Sequence, residues 1–109
     1  MSKIAMISQP MRGKTDAEIV ADRNRAISWL HENGFTVVNT LFTDEWYSKE
    51  SMEKRKVTNI PLCFLAKSIE NMSKVDTVFF VDGWRNARGC QVEHFAAKTY
   101  GLNVIYEKE

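Results

Sequence analysis

The chain has 109 residues, enough for one domain with a single hydrophobic core and too few for two. Its 15 basic and 14 acidic residues leave a net charge of +1, which gives no sign of a basic surface for nucleic acid polymers or membranes, and we expect neither as a partner. No apolar run approaches the roughly 20 residues of a membrane span, and we expect no signal peptide because the first residues already have the pattern of a strand. We therefore expect a soluble, cytoplasmic protein with one domain over residues 1–109.

The first part of the sequence predicts a strand–helix–strand unit. An apolar run from Lys3 to Ser8 has the length of a strand and stops at Gln9-Pro10. Thr15 to Glu18 has the form of a capping box and begins a helix, which Asn33-Gly34 ends. Phe35 to Asn39 is a second short strand. Because a helix joins the two strands, we expect parallel pairing and a right-handed connection.

The middle of the sequence, from Thr40 to Asn59, shows neither the helical nor the strand period, although Ser51 to Val57 is compatible with a short polar helix. Long irregular connections in small domains are usually functional, so we interpret this segment as a lid or a subunit contact. Pro61 suits the first turn of a following helix, which runs to Met72.

The last part repeats the order of strand, loop and helix. Thr77 to Val81 is apolar throughout, as a central parallel strand covered on both faces should be. A polar loop and a helix that closes at Gly101 follow, and Leu102 to Tyr106 is the last strand, with a charged tail after it. The order predicts an α/β fold of flavodoxin-like type, with an open parallel four-stranded sheet in the order 2-1-3-4 and helices on both faces.

Helical spacing of apolar residues also predicts which side of each helix is buried. In the three long helices these residues are Ile19, Val20, Ala26, Ile27 and Leu30, then Leu62, Leu65, Ala66, Ile69 and Met72, and then Val92, Phe95, Ala96 and Thr99. Arg23 falls on a polar face of the first helix.

The strongest candidate for a functional residue is Glu93. In open α/β sheets, ligands bind at the carboxyl ends of the strands, and the sequence places Glu93 in the first turn of the helix that follows the central strand. The helix dipole would hold this carboxylate ionised, as a nucleophile requires. The alternative is that Glu93 only complements the dipole on a solvated surface.

A second motif suggests a different function. Ser8 to Thr15 misses the phosphate-loop pattern G-x-x-x-x-G-K-[ST] only at its first glycine, and Asp82 follows an apolar strand as a magnesium-binding aspartate would. Against this hypothesis, Pro10 removes a backbone donor from the loop and Ser8 lacks the free φ of glycine.

Three motifs carry a resemblance to known proteins. They are I-S-Q-P-M-R-G-K from Ile7, G-F-x-V-V-N-T from Gly34, and D-x-V-x-F-x-x-G-W-x-x-A-R-G-C-x-x-E-H-x-x-A-x-x-Y-G from Asp76 to Gly101. Through them nearly the whole chain resembles the nucleoside 2-deoxyribosyltransferase-like superfamily, and closely the uncharacterised bacterial and phage family called domain of unknown function 4406. The resemblance implies that Glu93 is the nucleophile that attacks the anomeric carbon of a nucleoside or nucleotide.

The same resemblance implies a small-molecule site without metal or cofactor, formed by the two loops that follow the first and third strands. The expected substrate-binding residues are Ser8, Gln9, Met11, Arg12, Gly13, Asp82, Gly83, Trp84, Asn86, Arg88 and Gly89. Donors to a 5′-phosphate would come from Arg12, Gly13 and Lys14, or from Arg88 with the Gly89 amide. The proton for the departing base would come from Asp82, Asp44 or Glu45, whereas His94 should point away from Glu93.

The sequence departs from the enzymes at three positions. Ala5, Ser68 and Ala87 stand where the enzymes usually carry a tyrosine, an aspartate, and a serine or aspartate. Either Ser8, Gln9, Asn86 or Ser68 orients the glutamate instead, or the protein is a nucleotide-binding module without catalysis. Trp84 either stacks on a base or packs in a subunit interface. With Trp29, Trp46 and Trp84 in so small a domain, we expect a homodimer or larger homo-oligomer.

Overall fold

The structure is a computed structural model that describes residues 3–38 and 48–108. Its strands are β1 (Ile4–Ser8), β2 (Thr36–Val37), β3 (Thr77–Phe80) and β4 (Asn103–Tyr106). Its helices are α1 (Asp16–Glu32), α2 (Lys49–Lys54), α3 (Ile60–Met72) and α4 (Arg88–Thr99), with a short 3₁₀ turn at Trp84–Asn86.

The four strands form one parallel sheet in the order β2-β1-β3-β4. The predicted fold class and strand order are therefore confirmed. After β1 the chain continues to β2 on one side of the sheet, and after β3 it continues to β4 on the other side. The carboxyl ends of β1 and β3 therefore flank the switch point where open α/β sheets bind ligands.

Alternate residues of the two central strands point to opposite faces of the sheet and form two separate cores. On one face, Ala5, Ile7, Phe79 and Val81 pack with Ala26 and Leu30 of α1. On the other, Met6, Val78 and Phe80 pack with Met72 of α3 and with Cys90 and Ala97 of α4. Helices thus cover both faces, as the sequence predicted.

The helix boundaries follow their capping residues. Thr15 and Glu18 form the predicted capping box at the start of α1, and the Asn59 side chain accepts a hydrogen bond from Leu62 N at the start of α3, with Pro61 in its first turn. Between these helices, α2 begins after Ser48, earlier than the predicted Ser51, because Ser48 caps the backbone of Ser51. The second strand is shorter than predicted, and Asn39 lies outside the described residues.

The predicted buried faces of the long helices are partly wrong. Val20, Leu62 and Phe95 are about half exposed or more, with Phe95 at 71%. The sides of α3 and α4 that face the sheet instead carry polar residues such as Ser68 and Glu93, together with small residues. Arg23, predicted on a polar face of α1, is buried at 5% exposure. Periodicity marks an apolar face of a helix, but it does not establish that this face meets the sheet.

In the parts of the chain that the structure describes, no helix is both long enough and apolar enough to span a membrane.

Candidate functional site

A cavity of about 500 Å³ lies beside the carboxyl ends of β1 and β3. The first loop, the loop after β3, the first half of α3 and the beginning of α4 surround it. Its lining residues are Gln9, Pro10, Met11, Arg12, Lys14, Pro61, Phe64, Leu65, Ser68, Asp82, Gly83, Asn86, Ala87, Arg88, Gly89, Cys90 and Glu93. The volume falls within the range of small-molecule sites.

Glu93 is buried in the wall of this cavity at 7% exposure. The Ser8 hydroxyl, at the end of β1, donates a hydrogen bond to Glu93 Oε1 at 3.3 Å. This contact joins the last residue of one central strand to the helix that follows the other. Ser8, one of the four residues expected to orient the glutamate, is thus in hydrogen-bond contact with it. Ser8 was also expected to bind substrate, but it is 1% exposed and does not itself line the cavity.

The expectation that Glu93 lies in the first helical turn is wrong. Helix α4 begins at Arg88, so Glu93 is its sixth residue and lies in the second turn. The difference arises because Gly89, assigned from the sequence to the loop, is already helical. Since the influence of the helix dipole fades beyond the first turn, it contributes little to this carboxylate.

The electrostatic state of Glu93 also differs from the expectation. Burial raises the pKa of Glu93 to about 7, and the hydrogen bond from Ser8 lowers it only in part. Removal from water disfavours the charged form more than one hydroxyl donor favours it. At neutral pH the carboxyl group is therefore partly protonated instead of being held ionised, and a pKa near the working pH is common among groups that act in catalysis.

Cys90 lies one helical turn before Glu93, and its thiol also lines the cavity. Burial raises the pKa of Cys90 to about 11, while a hydrogen bond with Ser8 lowers it in part. The thiol is therefore protonated at neutral pH and is a poor nucleophile. Ser8 thus contacts both groups and anchors this wall of the cavity.

Three cationic side chains lie at the rim of the cavity. Arg12 and Arg88 are exposed residues that line the cavity. Lys14 also lines it, but its ammonium is paired with Asp22 at 2.5 Å. Ala87 occupies the N-cap position of α4 and has no side chain to cap the helix. The first-turn N–H groups of α4 therefore have no side-chain acceptor at the N-cap, and such groups can bind an anion.

Apolar side chains from α3 form another part of the wall. Pro61, Phe64 and Leu65 line the cavity, and Ser68 follows one turn later with only 9% exposure. The cavity therefore combines an apolar wall, a cationic rim and one buried carboxyl group. This combination suits a ligand with a flat apolar part and an anionic part.

Trp84 does not line the cavity, contrary to its inclusion among the substrate-binding residues. Its ring is 7% exposed and packs against Phe80 within the core. It also contacts the tilted ring of His94, at 4.2 Å between ring centroids, and stacks with Tyr106. The interpretation as a subunit contact fails for the same reason, since the ring is covered by its own chain.

His94 points away from Glu93, as predicted. Its Nε2 lies 2.6 Å from the Tyr106 hydroxyl, and burial lowers its pKa, with the nearby cations Lys98 and Arg85 contributing. This residue belongs to the aromatic cluster around Trp84 and takes no part in the cavity.

Of the remaining residues predicted to bind substrate or donate a proton, some line the cavity and others only hold the loops in place. Gly13 is not in the cavity wall; its φ of 81° instead allows the turn that leads to α1. Gln9 lines the cavity while its Nε2 donates to Ile19 O at 3.0 Å, which ties the first loop to α1. Of the proton-donor candidates, Asp82 is in the wall, and Asp44 and Glu45 lie outside the described residues.

The geometry of the first loop disfavours a phosphate-loop function. Lys14 is engaged by Asp22, and the Thr15 hydroxyl accepts a hydrogen bond from Glu18 N as the cap of α1. The lysine and hydroxyl that would bind a triphosphate and its magnesium are therefore used in structural contacts.

Sequence reasoning missed the apolar part of the wall. Phe64 carried no signal, and Pro61 and Leu65 were interpreted as helix initiation and core packing. Cys90, which also lines the cavity, was missed as well. Its spacing of three residues from Glu93 placed both on one face of α4 and was the available signal.

The fold and the cavity define an α/β protein with an open parallel sheet, whose candidate site lies at the switch point of the strand order and contains a buried carboxyl group. Within this class, the chain belongs to the family described as domain of unknown function DUF4406, whose model matches residues 4–106. No curated protein and no solved structure matches the chain.

Proposed function

We propose that the protein cleaves or transfers the N-glycosidic bond of a (deoxy)nucleoside or its 5′-monophosphate, with Glu93 as the nucleophile. The observation that carries this proposal is the position of Glu93: buried in the cavity wall at the switch point and hydrogen-bonded by Ser8. The resemblance to the nucleoside 2-deoxyribosyltransferase-like superfamily assigns the same role to this residue.

In the first step of the proposed reaction, an ionised Glu93 oxygen bonds to the anomeric carbon as the carbon–nitrogen bond to the base breaks. The bonding electrons leave with the base nitrogen, which takes a proton from an acid such as Asp82 or from water. Water or a second base then attacks the glycosyl ester and restores the Glu93 carboxylate. Two displacements at one carbon give net retention of configuration.

A 5′-phosphate suits the cationic rim. Arg12 and Arg88 line the cavity, and the uncapped beginning of α4 offers backbone N–H groups to an anion. The apolar side chains of Pro61, Phe64 and Leu65 suit the face of a nucleobase. Together they support a nucleoside monophosphate as the preferred substrate.

A second candidate is a nucleotide-binding module of the same fold that does not break the bond. The observation that favours it is Ala87, which leaves the α4 N-terminus without a polar side chain where the enzymes usually carry one. Ala5 and Ser68 are departures of the same kind. In such a module Glu93 would accept hydrogen bonds from the sugar hydroxyls.

One experiment separates the two candidates. The protein is incubated with nucleosides, their 5′-monophosphates and NAD, and free base is measured by chromatography alongside thermal stabilisation. Release of base that Glu93→Gln abolishes and Glu32→Gln retains supports the enzyme, because Glu32 is an exposed acid at the far end of α1. Stabilisation without release supports the binding module, and neither effect with any compound contradicts both.

The proposal includes a cytoplasmic location and assembly into a homo-oligomer. Cys63 and Cys90 are both free thiols, which is typical of a reducing compartment. Exposed apolar side chains on α3 and α4, including Leu62, Val92 and Phe95, are consistent with a covered surface in an oligomer.

A further inference from the structure

A chain of charged side chains connects the two loops that line the cavity. Glu107, directly after β4, accepts a hydrogen bond on Oε1 from the backbone N–H of Asp82 at 3.0 Å. Its two oxygens also receive the Arg25 guanidinium, at 2.5 Å from Nε and 3.0 Å from Nη2. Arg25 donates further to Asp22 at 3.1 Å, and Asp22 is paired with Lys14.

Both ends of this chain line the cavity, since Lys14 belongs to the first loop and Asp82 to the loop after β3. The two loops also approach each other, because a Cβ at Gly83, whose φ is 93°, would lie 3.6 Å from Pro10 Cγ. The charged chain therefore adds a second link, farther along, between two loops that leave the paired ends of β1 and β3.

The groups of the chain are sheltered enough for their contacts to matter. The side chains of Asp22 and Glu107 are 14% and 15% exposed, although that of Arg25 is 52% exposed. The hydrogen bonds from Arg25 lower the pKa of Glu107, and those from Lys14 lower the pKa of Asp22. Glu107 is also fixed through its backbone, since its N–H donates to Phe80 O at 2.9 Å.

We propose that Arg25 and Glu107 are positioning residues that hold the Asp82 loop against the first loop and thereby set the shape of the cavity for its ligand. They act through the Asp82 amide and the Lys14–Asp22 pair, without touching the ligand. Glu93 and Ser8 are not part of this chain, so its loss alters ligand binding and leaves the reacting carboxylate in place.

The kinetic test rests on the proposed function and uses Arg25→Gln, Glu107→Gln and Arg25→Lys. With a nucleoside 5′-monophosphate that the parent cleaves, the first two raise KM about tenfold, the scale of one hydrogen bond to a charged group, while kcat stays within about twofold. The KM of Arg25→Lys lies between the KM of these two variants and that of the parent, because an ammonium keeps the charge but lacks the planar fork that bridges two carboxylates. Lys74→Gln, which removes an exposed ion pair with Glu70 away from the cavity, changes neither constant.

A second measurement does not depend on any activity. In Arg25→Gln the Asp82 amide exchanges its hydrogen about tenfold faster relative to that of Val78 within β3, since a fixed acceptor protects an amide. Unchanged exchange at Asp82 overturns the positioning role whether or not the parent cleaves a nucleotide. Unchanged KM, or a loss of kcat without a change in KM, overturns it for an active parent. A parent that neither binds nor cleaves nucleotides contradicts the proposed function and leaves the exchange result to decide this inference.

Discussion

Ser8 Oγ lies 3.3 Å from Glu93 Oε1, although 85 residues separate the two in sequence. Ser8 is the last residue of β1 and is 1% exposed. Because β1 and β3 pair directly, the end of β1 comes next to the helix that follows β3. A rigid strand therefore presents the hydroxyl group that orients the candidate nucleophile.

Replacing Glu93 with Gln tests the proposed nucleophile. The amide keeps the size of the side chain but cannot form the glycosyl ester, so we expect base release to fall about a thousandfold or more. Stabilisation by the nucleotide should persist, because the rest of the cavity is unchanged. Full activity of Glu93→Gln on a substrate that the parent cleaves would show that the covalent mechanism is wrong.

Replacing Ser8 with Ala tests the orienting contact. The hydroxyl hydrogen bond favours ionised Glu93, so its loss should move the pKa of Glu93 further upward. We expect the rising limb of the kcat/KM profile, near pH 7 in the parent, to shift to higher pH, with activity at neutral pH about tenfold lower. The check is a pH series on the parent and on Ser8→Ala, with Ser73→Ala as the control, since that exposed hydroxyl only caps the end of α3. An unshifted profile would contradict the role of Ser8.

The strand order and the place of the candidate site in the fold were predictable because both depend on local signals. Apolar runs, the capping box at Thr15 and the helix between each pair of strands limit the topology to a few choices. The position of Glu93 after β3 then places it at the switch point.

The state of Glu93 and the chain of charges at Glu107 were not predictable, because both depend on contacts between distant residues. No local pattern shows that Ser8 meets Glu93, or that Arg25 meets Glu107 in a segment that reads as a charged tail. The prediction of the buried helix faces failed for a related reason, because the apolar spacing in α4 does not reveal that Phe95 is exposed to solvent. The structure reports these contacts directly.

Replacing Arg88 with Gln tests the preference for a 5′-phosphate. Arg88 lines the cavity at the start of α4 and is exposed, so the variant should fold normally. We expect about a tenfold rise in KM for the monophosphate, the scale of one charge-assisted contact. The unphosphorylated nucleoside is the internal control, and its KM should not change. An equal rise for both compounds would mean that Arg88 contacts the sugar or base instead.

The proposed homo-oligomer has a direct test. Leu62, Val92 and Phe95 expose large apolar side chains on α3 and α4, with Phe95 at 71%. Exposed apolar surface of this kind commonly marks an interface between subunits. Light scattering at tens of micromolar should give at least twice the 12.6 kDa mass of one chain. A monomer at these concentrations would contradict the prediction.

The burial of Glu93 should also be visible as a pH dependence of stability. Its pKa is about 7 in the folded protein and near 4.5 when the side chain is in water. Between these values the folded protein keeps a proton that the unfolded chain releases, so the contribution of Glu93 to stability is present at low pH and is lost as the pH rises to 7. We expect the free energy of unfolding of Glu93→Gln, relative to the parent, to increase by roughly 2 kcal/mol between pH 5 and pH 8. Urea unfolding of both proteins at each pH measures this difference. Because all other titrating groups are the same in the two proteins, their contributions cancel when the two free energies are subtracted. A difference that is constant with pH would mean that Glu93 ionises as freely as an exposed glutamate, and the raised pKa would be wrong.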